Sequence, residues 1–257
     1  MHSRSTFAHL VTVVALTLAA TGSAQAWTWS MNWGGGEQVK GSGTIVSETR
    51  ELGAFDAISL SGDLQVRVRQ GATTRVEVRA DNNLLSLIET RIVEGSKGRT
   101  LEIGPKKGYN LAGTSREQIT LEMPHLRRVA VGGSGDVRVE AMNTPSVDAS
   151  IGGSGKIVFV DLTSERLALN VAGSGDVEAA GRTGNLNLSV AGSGDVNARG
   201  LAADVVKASV AGSGSAQVHA IKTLKASIAG SGDIAYLGSP EVSSSVAGSG
   251  NVSRLSQ

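Results

Sequence analysis

The tripeptide Gly-Ser-Gly begins at Gly133, Gly153, Gly173, Gly192, Gly212, Gly230 and Gly248, at steps of 20, 20, 19, 20, 18 and 18 residues. Self-similarity at a fixed period of this size restricts a chain to stacked or arrayed units. Each copy reads as a small residue, Gly-Ser-Gly, a polar residue, then a short alternating run. A variable stretch and a second alternating run follow. The first runs include Val137/Val139, Ile157/Phe159, Val177/Ala179 and Val196/Ala198. The second include Val147/Ala149/Ile151, Leu167/Leu169/Val171, Leu186/Leu188/Val190 and Ala208/Val210. Alternation with period two marks a strand with one face in a core. The glycines fall where the chain turns sharply, at backbone angles that a Cβ resists. One copy alone buries too little apolar surface to offset the entropy of ordering it. Stacking supplies its missing wall and its backbone partners. Residues 132–257 are therefore expected to form a parallel β-helix of about six rungs, two short strands per rung, with its edges blocked at each end. A propeller blade needs about twice this period, and a hexapeptide helix needs an apolar residue about every six positions.

The composition narrows the chemistry. There is no Cys, so disulfides, thiolate metal sites and Cys nucleophiles are excluded. The 24 Lys+Arg nearly balance 23 Asp+Glu, which argues against a nucleic-acid binder. With 40% hydrophobic residues, bulk disorder is not expected.

Residues 1–26 read as a secretory signal peptide. Arg4 gives a positive start, residues 8–20 are apolar, and Ala24-Gln25-Ala26 fits the cleavage rule. No later segment is long and apolar enough to span a bilayer. The expected address is periplasm, outer surface or medium. Residues 27–43 form a leader holding all 3 Trp, at Trp27, Trp29 and Trp33, ahead of a Gly-rich stretch. Aromatic side chains with a polar handle favour boundaries, so these three are candidate ligand, partner or self-association contacts. Residues 44–131 are expected to form an irregular β region of wider rungs. Its strands are placed at Thr44–Glu48, Phe55–Leu60, Leu64–Arg69, Arg75–Arg79, Thr90–Val93, Thr100–Ile103 and Ile119–Met123. A helical turn is expected at Asn83–Ile88, capped by Asp81 or Asn82, and an exposed loop at Pro105–Arg116.

The order Gly53-Ala-Phe55-Asp-Ala-Ile58-Ser-Leu60-Ser-Gly62-Asp, then Leu121-Glu-Met-Pro124-His-Leu126 running into Gly133-Ser-Gly-Asp136, resembles the DUF2807 family, the head GIN domain of autotransporter adhesins. The likeness extends over about residues 45 to 250. It implies a right-handed parallel β-helix in envelope or secreted bacterial proteins, with no established catalytic residues. No translocator barrel follows the last repeat in this sequence, so a self-exporting adhesin is not expected.

The residue after each Gly-Ser-Gly is Asp136, Lys156, Asp176, Asp195, Ser215, Asp233 or Asn251. Stacked rungs would align these along one corner at about 4.8 Å spacing. Asp136, Asp176, Asp195 and Asp233 are the candidate ligands of a bridging cation, calcium by its preference for oxygen. Lys156 interrupts them, and a solvated turn ladder is the reading adopted. The corner serines are read as hydrogen-bonding residues, since a nucleophile needs a base beside it and residues 27–257 offer only His125 and His219. No cofactor is called for. The chain reads as a non-catalytic, exported, adhesin-like or structural module with an envelope protein or a glycan as partner. A polysaccharide-active β-helix enzyme is the alternative.

Overall fold

The computed structural model describes residues 36–256, apart from 97 and 114–116. The expected signal peptide at residues 1–26 and the candidate contacts Trp27, Trp29 and Trp33 lie outside the described residues. Among the described residues nineteen strands follow one another. The first nine are β1 (Glu37–Lys40), β2 (Ile45–Arg50), β3 (Ala57–Gly62), β4 (Gln65–Gln70), β5 (Arg75–Asp81), β6 (Ile88–Gly95), β7 (Gly98–Pro105), β8 (Tyr109–Ala112) and β9 (Gln118–Met123). Then come β10 (Arg128–Gly133), β11 (Asp136–Asn143), β12 (Ser146–Gly153), β13 (Lys156–Gly173), β14 (Asp176–Gly192) and β15 (Asp195–Gly212). The last four are β16 (Ser215–Gly230), β17 (Asp233–Leu237), β18 (Glu241–Gly248) and β19 (Val252–Arg254).

From β10 onward every pairing is parallel and joins one repeat to the next, which is the expected solenoid. The corners stack on each other. The N–H of Ser154 donates to the Gly133 carbonyl at 2.9 Å, Ser174 to Gly153 at 2.9 Å, and Ser193 to Gly173 at 2.9 Å. The serines thus hydrogen-bond at the corner, as expected, and do so through their backbone N–H groups. Both glycines of a corner are sterically required. Gly173 has φ +126°, and a Cβ there would sit 2.6 Å from the Gly153 carbonyl oxygen. A Cβ on Gly175 would sit 2.5 Å from the Gly155 oxygen and 2.6 Å from Ile151 Cγ2. Corners approach this closely because adjacent levels are only about 4.8 Å apart.

Inside, Leu60, Val131, Ile151, Val171, Val190, Val210 and Ile228 form one register column, each at most 2% exposed. One apolar core runs from Phe55 to Ile234. Phe159, the bulkiest of its fully buried side chains, stacks in register on Ala179, so a large residue meets a small one. The bend opposite the Gly-Ser-Gly corner carries no repeated glycine triplet: β13 to β16 each run 16–18 residues as unbroken strand, and within them the bend places glycine at positive φ in β14 alone, at Gly181 (φ +116°). Register shifts occur there, at Phe159/Leu162, Glu178/Ala180 and Ala198/Ala202. That bend absorbs the difference between turns of 18, 19 and 20 residues, while the glycine corners stay aligned.

The N-terminal half contributes two more levels, in an order that inverts the sequence. β3 and β4 stack on β10 and β11. β7 and β9, later in the chain, stack on the far side of β3 and β4. The chain therefore crosses back over the β3–β4 level to start β10. Antiparallel strands then cover the outer edge: β5 pairs with β9, β2 with β5, and β6 with β7. Arg50 ties this end together, donating to the carbonyls of Ile88 at 2.7 Å and Leu85 at 2.8 Å and to Thr90 Oγ1 at 2.9 Å. At the opposite end β18 is exposed throughout, with Val242 at 39% and Val246 at 43%. Among the described residues no strand covers its outer edge, so the expectation of two blocked ends holds at one end only. The antiparallel strands that make the block belong to the irregular half.

Two local expectations change. The helical turn is a 3-10 turn at Leu85–Leu87 with no side-chain cap. Asp81 instead accepts the Gly43 N–H, and Asn82 accepts the Ser42 hydroxyl. Within the expected Pro105–Arg116 loop, β8 pairs in parallel with β1.

Asp56 and Arg127 pin the crossing. The guanidinium donates Nε and Nη2 to the two carboxylate oxygens, both at 2.9 Å, and the Arg127 N–H donates to the Asp56 carbonyl at 2.7 Å. The hydrogen bond from Arg127 outweighs desolvation and holds the Asp56 carboxyl below its ordinary value. A depressed carboxyl stabilises the fold above its unfolded pKa and ceases to do so as pH falls through its folded one. Asp56→Asn is expected to cost about 1 kcal/mol or less near neutral pH, because solvent screens the half-exposed pair. The gap between variant and parent should close below about pH 4. Urea midpoints at neutral and acid pH measure it.

Candidate functional site

The polar residues after each corner do line up. Asp136 is in register with Lys156, Lys156 with Asp176, Asp195 with Ser215, and Ser215 with Asp233. Their carboxylates point up the stack. Asp176 Oδ1 accepts the Asp195 N–H at 3.3 Å, and Asp233 Oδ1 accepts the Asn251 N–H at 2.9 Å. Asp195 Oδ1 accepts the Ser215 N–H at 3.0 Å and its hydroxyl at 2.7 Å. Lys156 Nζ lies 2.6 Å from Glu178. Asp176, Asp195 and Asp233 thus serve the backbone of the next level, where the chain leaves the corner. Among the described residues no group of three or more His, Asp or Glu is placed to hold a metal ion.

The two histidines are far apart in the fold. His125 is exposed in the crossover between β9 and β10, and His219 is half-buried in β16, in register with Leu237. The structure does not bring them together.

A feature that the sequence reading passed over lies on the outward face of the second strand of each repeat. Three side-chain columns run along the rod there. One is Asp148, Ala168, Asn187, Lys207, Lys225 and Ser243. The next is Ser150, Asn170, Ser189, Ser209, Ser227 and Ser245. The third is Gly152, Ala172, Ala191, Ala211, Ala229 and Ala247. Small side chains leave the sheet bare between the longer ones. A shallow concavity of about 350 Å³ results, extending over four levels from Ala168 to Ser227. Its floor is carbon and its rim is hydroxyl, amide and ammonium. No carboxylate lines it.

A family model matches residues 54–240, a span that runs from just before β3 through most of the stacked Gly-Ser-Gly levels, as "putative auto-transporter adhesin, head GIN domain". The chain belongs to the DUF2807 family. No curated protein matches it. Solved structures similar to this DUF2807 chain include a "putative adhesin" from Bacteroides fragilis, at TM-score 0.79 and 25% identity, over 84% of this chain and 100% of that one. Another is a "putative adhesin" from Parabacteroides merdae, at TM-score 0.68 and 25% identity, over 86% and 100%. A third is a "putative lipid binding protein" from Parabacteroides distasonis, at TM-score 0.70 and 27% identity, over 86% and 100%. These similar structures are thus described as a "putative adhesin" in two cases and a "putative lipid binding protein" in the third. No helix among the described residues is long and apolar enough to cross a membrane.

Proposed function

We propose that this DUF2807 chain is an exported, non-catalytic binding module of the bacterial envelope, adhesin-like in action. Its long faces are the working surface, and its partner is an envelope protein or a glycan. The supporting observation is that the outward columns run level to level without a break, from Ser150 to Ser245. A rigid sheet that repeats one hydrogen-bonding group about every 4.8 Å meets an extended or repeating ligand many times at once. Weak single contacts then add up without a deep pocket. Trp27, Trp29 and Trp33 supply a second, aromatic contact ahead of the solenoid, and the signal peptide at residues 1–26 accounts for export. The Asp136, Asp176, Asp195 and Asp233 ladder is assigned to the corner backbone, with no cation required.

Immobilised protein is expected to retain bacterial envelope fragments saturably. It should release no new reducing ends from a panel of polysaccharides. Absence of retention sinks the binding reading, and turnover of any polysaccharide replaces it with the enzymatic one.

A further inference from the structure

The concave outward face carries two lysines in adjacent levels. Lys207 and Lys225 are direct register partners, so their side chains leave the sheet about 4.8 Å apart. Both are exposed. Among the described residues neither makes an ion pair, whereas Lys156 is held by Glu178 and Lys222 by Asp204 at 2.8 Å. Like charges stacked side by side repel, and neighbouring levels offer Asn187 and Ser243 in the same column rather than a carboxylate. Asp148, further along the column, lies 3.8 Å from Arg128. The two ammonium groups thus face a concavity with no carboxylate among its lining residues, and an anion seated between them relieves the repulsion.

The shape selects among anions. The groove lies along a rod whose levels repeat, so a chain polymer laid along it meets Ser189, Ser209 and Ser227 in succession. Hydroxyls and Asn187 donate and accept in the way that sugar hydroxyls need. No aromatic lines the groove, so stacking on neutral sugar rings is not on offer. A bilayer surface is recognised by clusters of about four to eight basic side chains, and two do not suffice. We propose that this face binds an acidic polysaccharide lengthwise, with Lys207 and Lys225 straddling one carboxylate of the ligand. This rests on the reading of the chain as a binding module and names its ligand class.

The probes are polygalacturonate as an acidic glycan, dextran as a neutral one, and phosphatidylglycerol vesicles as an anionic membrane. The purified protein is expected to bind polygalacturonate, to ignore dextran, and to lose affinity as salt rises. K207S/K225S should bind about tenfold or more weakly, or not at all. K207R/K225R should bind, and K222S, which alters a lysine outside the groove, should match the parent. Circular dichroism of all variants should be unchanged, because the side chains are exposed. Failure to bind polygalacturonate, equal binding of dextran, equal loss in K222S, or preference for the vesicles overturns the proposal. Retention of envelope fragments by a protein that ignores polygalacturonate sinks this inference alone. Loss of envelope retention sinks the broader reading.

Discussion

Gly173→Val is expected to destabilise the solenoid by roughly 2–5 kcal/mol, although residue 173 itself is exposed. Two effects add. The backbone sits at φ +126°, where a β-branched residue is strained, and the new Cβ would press on the Gly153 carbonyl oxygen at 2.6 Å. That oxygen accepts the Ser174 N–H at 2.9 Å, so moving it away breaks the bond that holds one corner to the next. At about 2–4 °C per kcal/mol for a protein of this size, the melting temperature should fall by roughly 5–20 °C. Gly152→Ala is the matched control. No atom lies within 4 Å of a Cβ placed there, and its register partner one level on is Ala172. That change should be neutral, or stabilise by up to about 1 kcal/mol through the unfolded state. Thermal melts of the two variants measure the difference. Equal melting temperatures would mean that the corners are loosely packed and that the glycines reflect composition rather than geometry.

The same steric requirement explains why so much of the fold was legible. Corners that tolerate no Cβ must be written as glycine, so the period stood out in the sequence. The inward column from Leu60 to Ile228 must be apolar in every level, so the strands showed as alternation. The order of the first levels left no such mark. The alternation around Thr100–Ile103 and Ile119–Met123 says that these segments are strands, but not that they stack outside β3 and β4. Partner choice in a sheet is a non-local property, and here it turns on contacts such as Asp56 with Arg127, 71 residues apart. β1 and β8 were missed for a different reason: they are short and lie in stretches whose glycines and charges read as loop.

The candidate site divides in the same way. The aspartate ladder follows from the period alone. Its task does not, because accepting an N–H from the next level depends on how the chain leaves the corner. The lysine pair carried a signal that attention to the post-corner residues missed. Lys207-Ala-Ser-Val-Ala-Gly-Ser-Gly and Lys225-Ala-Ser-Ile-Ala-Gly-Ser-Gly place both lysines at one offset before the corner. In a solenoid, equal offset means spatial adjacency, so unpaired like charges at one offset deserve the same reading as a cluster would in a globular protein.

Register, not length, is what the solenoid should defend. Deleting residues 174–192 joins Gly173 to Ser193 and sets Asp195 over Lys156 and Val196 over Ile157, as Asp176 and Val177 sit now. Every column survives, so the shortened protein should fold, with a maximum dimension reduced by about 5 Å in small-angle scattering. Three residues inserted after Leu169 should do the opposite. An odd number turns the following side chains to the wrong face and carries Gly173 off the Gly153 corner. β13 is paired on both sides at that point, so the extra residues have no edge into which to bulge. Losing about three buried apolar side chains costs roughly 4–9 kcal/mol, comparable to the whole stability of a typical domain. The same three residues inserted after Arg199 should cost only about 1 kcal/mol. Arg199 and Gly200 are exposed, and the register already shifts there between β15 and β16. Equal damage from the two insertions would show that the bend at Arg199 is fixed by packing as firmly as the strand that leads into the corner. Unequal damage in the expected direction assigns the registry of the whole rod to one line of glycines, and leaves the opposite bend free to vary in length.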